Sequence, residues 1–396
     1  MANTINYAAI FNRILDEKFY IMPRTMWMEN TNPSLVWNNG KEIKVPMLST
    51  DGLGNMVGCT APNGDIALNW ETKTLEYYRG RNFSIPRYDV DMTNFAATVD
   101  NVLRVFLNEQ VIPEMDTIRI GRAAQAAISG GKVTAFATAS ITTANILEKL
   151  MADIATVQDA IGENEQLYIQ LSTPMKNLLM QSTAISRFLN VRDFEINSVN
   201  LKMDAINDQY LIGTPSAYMK TGFTLLDGSS TGQTAGGIDT SAAGKVNWII
   251  GARRALDAIA RPQVTKVITP DENQNGDCWK ILFNIFHGIW GYDNKLNGLL
   301  VNMDTTLGSL TLSAAASSTA GNTIISVSGI DVSNDAVLMY KTGSNTVTAG
   351  TAIAGYSALP ASGEITAANG TNVTIVLAGK DSLLPIAYGN VTSVAS

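Results

Sequence analysis

Histidine is almost missing from this sequence: His287 is the only one in 396 residues, and Cys59 and Cys278 are the only cysteines. That scarcity excludes a Ser–His–Asp or Cys–His relay unless His287 itself serves, and no nucleophile motif flanks it between Phe283 and Trp290. Inside so aromatic a run, His287 reads as a core or interface residue. Zinc chemistry needs His pairs or Cys clusters, so no metal site is expected. The two cysteines lie far apart with no CxxC spacing, and a structural disulfide is not the expectation. Long apolar runs are missing too. None reaches the roughly 18 residues of a membrane span, and Met1 to Arg13 lacks the cationic start and continuous apolar core of a signal peptide. The chain is therefore expected to be made and kept in a cytoplasm, with no membrane partner.

Charge is scarce as well. Asp, Glu, Lys and Arg make up 16% of the chain, against roughly 25% in ordinary soluble domains. A large chain with so few charges is one whose surface is covered by something, and partner subunits are the simplest cover. The net charge of −7 argues against non-specific nucleic-acid binding, which requires a basic face. It leaves room for a wall that merely encloses nucleic acid.

The strings that imitate chemistry fail on inspection. Asp271 to Gly276 matches the first half of a calcium loop, but the twelfth position, which should supply a bidentate Glu, is Leu282. Gly237 to Lys245 evokes a phosphate loop, yet six residues separate its glycines instead of four and Val246 replaces the Ser or Thr. Asp89 and Asp91 form a possible carboxylate pair, but their place at a strand-to-helix junction suits capping better. No catalytic residue, cofactor or metal is assigned, and the chain is not expected to be an enzyme.

What is present is a change of texture at Thr305. From there to Ser396 the charged residues are Asp331, Asp335, Lys341, Glu364, Lys380 and Asp381, with no Trp, Phe, His, Cys or Arg. Short alternating runs such as Thr323 to Ser328 and Asn372 to Leu377, broken by Gly at intervals of about 8–12 residues, are the pattern of a small β-sandwich. Such a tail suits display or gripping, and the combination suggests architecture.

Upstream, Tyr7, Ile10, Phe11, Ile14 and Leu15 mark a short amphipathic helix that needs a surface to lie on. Glu42–Leu48, Thr72–Arg79 and Arg81–Pro86 read as strands, the first two joined by an excursion rich in Gly and Pro. A long hairpin of this composition is marginal alone, and it reads either as an arm that grips a neighbour or as an ordinary meander. Phe95 to Ser129 predicts a long spine helix, with Pro113 kinking or dividing it and Glu109, Asp116, Arg119 and Arg122 on its outer side. Helices are predicted over 144–161, after Thr173-Pro174, after Thr214-Pro215 and over Ala252–Ala260. Strands are predicted over 166–171, 201–212, 246–250, 264–268 and 279–289, and 296–301 closes the body. The irregular alternation predicts an α+β fold. Asp227 to Gly244 reads as an exposed Gly/Ser/Thr loop. The arginines gather locally, and in an acidic chain they suit ion pairs to neighbouring subunits. Candidate inter-subunit contacts are therefore Arg79, Arg81, Arg87, Arg253 and Arg254, with Glu71 and Glu76 on the strands and Phe11 and Ile14 on the arm.

Taken in order, Asn6–Phe19, Gly40–Pro46, Trp70–Thr74, Arg79-Gly-Arg81, Asp89-Val-Asp91, Val111–Asp116 and Tyr292–Gly298 resemble the major capsid proteins of tailed bacteriophages. The resemblance rests on order and spacing and covers roughly residues 1–304. It implies the Hong Kong 97-type shell fold: an N-terminal arm at 1–35, an extension loop (a β-hairpin) at 36–90, a peripheral domain with the spine helix at 91–164 and 263–304, and an axial domain at 165–262. Residues 305–396 resemble a bacterial immunoglobulin-like domain appended to such proteins. The implied function is a virion shell subunit forming hexamers and pentamers around double-stranded DNA, without sequence-specific binding. Assembly would take place in the host bacterial cytoplasm, with separate scaffolding protein and a portal as partners. The tail would project outward toward glycans or decoration proteins. The alternatives are an encapsulin-like nanocompartment shell and a surface or adhesion protein.

Overall fold

The computed structural model describes residues 23–29, 42–56, 63–92, 99–182, 189–196, 199–206, 209–260 and 264–395. The arm helix around Phe11 and Ile14 lies outside them. The chain divides into two compact units, one comprising Met1–Glu29, Ile85–Asp257 and Ile289–Ser396, the other Asn30–Ser84 and Ala258–Gly288.

The first unit is organised by a mixed seven-stranded sheet. In spatial order its strands are Val133–Ala135, Leu299–Met303, Val246–Ala252, Leu167–Ser172, Gln209–Thr214, Val199–Ile206 and Leu189–Ile196. The three strands Leu299–Met303, Val246–Ala252 and Leu167–Ser172 are buried along their whole length, which is why apolar residues fall on both faces of each without alternation, with Gln170, Ser172, Asn247 and Asn302 as buried polar exceptions. The helices are α1 (Arg87–Met92), α2 (Val99–Phe106), α3 (Ile112–Ser129), α4 (Ile146–Ile161) and α5 (Thr173–Gln181). Ile146, Leu150, Ile154 and Val157 recur at helical spacing on α4 and, with Met175 and Leu179 of α5, pack against Leu167, Ile169, Leu171, Trp248 and Ile250 of the sheet. Pro174 sits in the first turn of α5, where its missing N–H costs nothing.

The spine is helical from Val99 to Ser129. A π turn over Leu107–Val111 separates α2 from α3. It falls just ahead of Pro113, whose ring and missing donor forbid a regular α ladder there. The outer-side assignment for Asp116, Arg119 and Arg122 is wrong: all three are buried. Their partners come largely from the segment Arg24–Glu29. Arg24 N–H and the Thr25 hydroxyl donate to the Asp116 carboxylate at 2.9 and 2.6 Å, and Arg119 donates to Glu29 at 2.8 Å. Burial pushes the Asp116 carboxyl above its usual range, opposed by these hydrogen bonds and by the Arg119 charge. Arg122 donates to Gln125 and lies over the Phe223 ring, 5.0 Å from its centre.

Other expectations also need correcting. The helix predicted over Ala252–Ala260 is a tight turn, closed by Ala255 N–H to Ala252 C=O, followed by the strand Leu256–Ala260. Ala-rich composition favours a helix locally, but Leu256, Asp257 and Ala258 are all buried, a pattern no single helix face supplies. Thr214-Pro215 opens a turn only, with Tyr218 N–H bonded to Pro215 C=O. The strand predicted over 201–212 is two antiparallel strands, Val199–Ile206 and Gln209–Thr214. Inside the 227–244 loop, Gly237–Asp239 pairs with Thr224–Leu226.

Asp153 of α4 is buried in the first unit, and its Oδ2 accepts hydrogen bonds from Thr134 Oγ1 (2.9 Å) and Trp248 Nε1 (2.8 Å). Desolvation raises its pKa above 3.8, against those hydrogen bonds. The folded state therefore holds this proton more tightly than the unfolded chain, and Asp153 costs stability as pH rises from about 3.8 toward the raised value. Asp153→Asn keeps an acceptor for both donors. Its stability, measured by denaturant unfolding from pH 4 upward, is expected to fall less with rising pH than the wild type's; parallel curves would contradict the assignment.

In the second unit, Val264–Ile268 pairs antiparallel with the long strand Cys278–Gly291, and Tyr77–Pro86 pairs with that strand too. Asp271 to Gly276 lies in the polar turn between the first two. His287 is buried against Tyr77, with ring centres 5.4 Å apart. The tail belongs to the first unit and holds two sheets. A five-stranded one takes Gly308–Ser309, Pro385–Thr392, Asn372–Gly379, Ala336–Thr342 and Ser357–Ala358 in that order; a three-stranded one takes Thr311–Ala316, Asn322–Ser328 and Glu364–Thr366.

Candidate assembly surface

Within the second unit, Glu42–Thr50 and Ile66–Thr74 form a two-stranded antiparallel ribbon. Its register sets Pro46 opposite Trp70, Leu48 opposite Leu68 and Thr50 opposite Ile66. Side chains alternate along a strand, so these six share one face. Most of that face is apolar and open to solvent: Leu48 is 66% exposed, Ile66 69%, Leu68 53% and Trp70 59%. Leu53 and Met56, in the connection beyond Thr50, are exposed as well. The opposite face carries Val45, Met47, Glu71 and Lys73, the last two joined by an ion pair.

A ribbon with a bare apolar stripe is unfavourable for an isolated molecule. Two strands alone are marginal in water, and contiguous exposed apolar surface marks an interaction site. Covering one large apolar side chain is worth about 1.5–3 kcal/mol, so a partner seated on this face would gain several times that. This geometry suits gripping another protein surface and gathers no set of acid, base and nucleophile.

No family model matches the sequence, and no curated protein does either. Solved structures do match. The mature capsid of bacteriophage PhiM1 aligns with a TM-score of 0.52 at 11% identity, over 76% of this chain and 93% of its own. The capsid of cyanophage P-SCSP1u gives 0.52 at 12% identity, over 76% and 93%. A structure of Mycobacterium phage Che8 gives 0.51 at 9% identity, over 76% and 98%. The chain has the tailed-phage capsid fold.

The capsid fold puts the candidate contact residues in several places. Glu71 lies on the ribbon, and Glu76, Arg79 and Arg81 lie on or beside the Tyr77–Pro86 strand of the same unit. Arg87 opens α1. Each of these five already engages other groups of its own chain. Arg253 donates to the Glu29 carbonyl at 3.4 Å, and Arg254, with its side chain 77% exposed, pairs with Glu165 at 3.4 Å. These charges thus belong to both units. The residues that sequence reasoning missed are Ile66, Leu68 and Trp70. Their period-two spacing was a usable strand signal, obscured by the Gly and Pro that precede it.

Proposed function

We propose that this chain is the major capsid protein of a tailed double-stranded DNA bacteriophage, self-assembling into the icosahedral head shell. The single observation that carries the reading is an open apolar ribbon on a capsid fold: the subunit is built to be covered by its own copies. Contacts of this head-to-tail kind, closed by rotation, generate rings such as hexamers and pentamers. The chain's role is structural, with no chemistry of its own. Its acidic balance suits confinement of DNA within a wall, without a grip on bases. Scaffolding and portal proteins are the partners that such a shell recruits during assembly in a bacterial cytoplasm, and the finished location is the virion.

The test is electron microscopy of the full-length protein, expressed alone and with the scaffolding and portal proteins encoded beside it. Closed shells of one size are expected, and deletion of residues 41–80 is expected to abolish them while 305–396 stays folded. A persistent monomer under both conditions would overturn the proposal. So would shells that package a cargo enzyme in place of DNA, which would make this a cellular compartment.

A further inference from the structure

The tail is tied to the rest of the first unit at separated points, through contacts that a loosely tethered module would not make. At the end of α3, Ser382 Oγ donates to the Ile128 carbonyl and Ser129 Oγ donates to Asp381. Gly379 is so close that a Cβ there would lie 2.8 Å from Ser129 Cα. A second tie lies at 221–225. Asp331 N–H donates to the Phe223 carbonyl at 2.8 Å, Leu225 N–H to the Asp331 carboxylate at 3.1 Å, and Thr224 Oγ1 to the Gly329 carbonyl at 2.6 Å. Ile330 packs on Gly222, where a Cβ would come within 2.7 Å of it. A third tie joins Ser309 N–H to the Ala242 carbonyl at 2.7 Å.

These ties converge on the end of a helix and on an irregular segment. The Ile128 carbonyl, which already accepts from Gly131 N–H at 3.0 Å, takes a second donor from the tail. Between Thr221 and Lys245 the regular structure is the three-residue pairing of Thr224–Leu226 with Gly237–Asp239, too little to hold the segment by itself. Phe223 is buried, its ring against Arg122 and Gly121 of α3 while its carbonyl is taken by the tail. The segment is therefore gripped from two sides.

We propose that the tail is an internal brace, an intramolecular partner that locks the C-terminal turn of α3 and the 221–245 segment into one block. Its primary interaction surface is the one formed by Gly329 to Asp331 and Gly379 to Ser382, and its occupant is the body of the same chain. The brace acts within the single subunit, so it stands or falls independently of shell formation.

Hydrogen exchange on the full-length chain tests it. In Ile330→Ala/Asp331→Ala/Ser382→Ala, amides of 126–131 and of 221–226 are expected to exchange at least ten-fold faster, while the tail strands Asn372–Gly379 and Pro385–Thr392 keep their protection. Gly222→Val asks the same from the body side, leaving every tail residue intact. It should displace Ile330 and thereby loosen 126–131; because a Cβ at 222 also comes within 3.2 Å of Gln125 Nε2, Gln125→Ala, which leaves the tail in place, is the control and should keep 126–131 protected. Unchanged exchange at 126–131 in both variants overturns the proposal and makes the tail an independent module. Tail strands that melt in Gly222→Val overturn it as well, since the body would then be holding the tail.

Discussion

Replacing Leu48, Leu68 and Trp70 together by serine is expected to suppress particle formation and leave the unfolding midpoint of the free subunit within experimental error. The three side chains share one ribbon face and are each more than half exposed, so the isolated fold loses little when they go. The proposed assembly covers that exposed surface with a neighbouring copy. At about 25 cal/mol per Å², and with roughly half of each side chain left to bury, the triple change removes about 3–5 kcal/mol per copy. Because each 1.4 kcal/mol is tenfold in an equilibrium constant, association should weaken by about a hundred- to a few-thousandfold per contact. Light scattering against protein concentration reads the first effect and denaturant unfolding the second. Val332→Ser/Val394→Ser, at exposed positions of the tail, serves as the control for surface polarity. Wild-type assembly by the ribbon variant would remove this face from the interface.

Trp27→Ala is expected to act on the opposite quantity, the stability of the subunit itself. Trp27 is buried and stacks on Tyr168 with ring centres 5.2 Å apart and planes 10° from parallel. Its indole N–H donates to Gln170 at 3.3 Å, and Gln170 in turn donates to Thr214 at 2.9 Å. The slot exists because residue 251 is glycine: a Cβ there would lie 2.6 Å from the ring. Truncating a buried Trp costs about 3–5 kcal/mol, and the loss of stacking belongs within that figure. Gly251→Val should approach the same loss by expelling the ring from the other side. The two changes meet in one contact, so the double variant should cost far less than their sum. Equilibrium unfolding of the three variants checks this; strict additivity would show that Trp27 does not depend on the Gly251 slot.

The ribbon and the Trp27 slot illustrate what sequence patterns do and do not carry. Helical spacing of Ile146, Leu150, Ile154 and Val157 placed α4 correctly because a helix face is a local property of residues within a few turns. The tail's change of composition at Thr305 likewise announced an all-β region, and the described residues there are strands and turns. The aromatic surroundings of His287 pointed rightly to a buried residue. Where the reading failed, the deciding partner lay far away in sequence. Asp116 and Arg119 look like a solvated face until Arg24–Glu29 crosses the helix about ninety residues earlier in the chain, and Arg122 until Phe223 packs on it about a hundred residues later. Ala252–Ala260 has helix-forming composition, yet burial of Leu256, Asp257 and Ala258 overrides that modest preference.

The candidate site was legible in kind and not in detail. A hairpin near residues 42–79 that needed partners could be inferred from marginal self-burial, but the charged residues were credited with the contact. The structure adds an exposed apolar stripe on the same ribbon, since register alone decides that Leu48, Leu68 and Trp70 meet on one face.

Residue order thus sufficed for the α+β class and the all-β tail, because composition and short-range periodicity encode them directly. Which polar groups are buried, which face of the ribbon is bare and where the tail is anchored depended on contacts between segments tens to hundreds of positions apart. Those contacts are set when the whole chain packs its apolar surface and satisfies its buried hydrogen bonds at once, and no local pattern contains that solution.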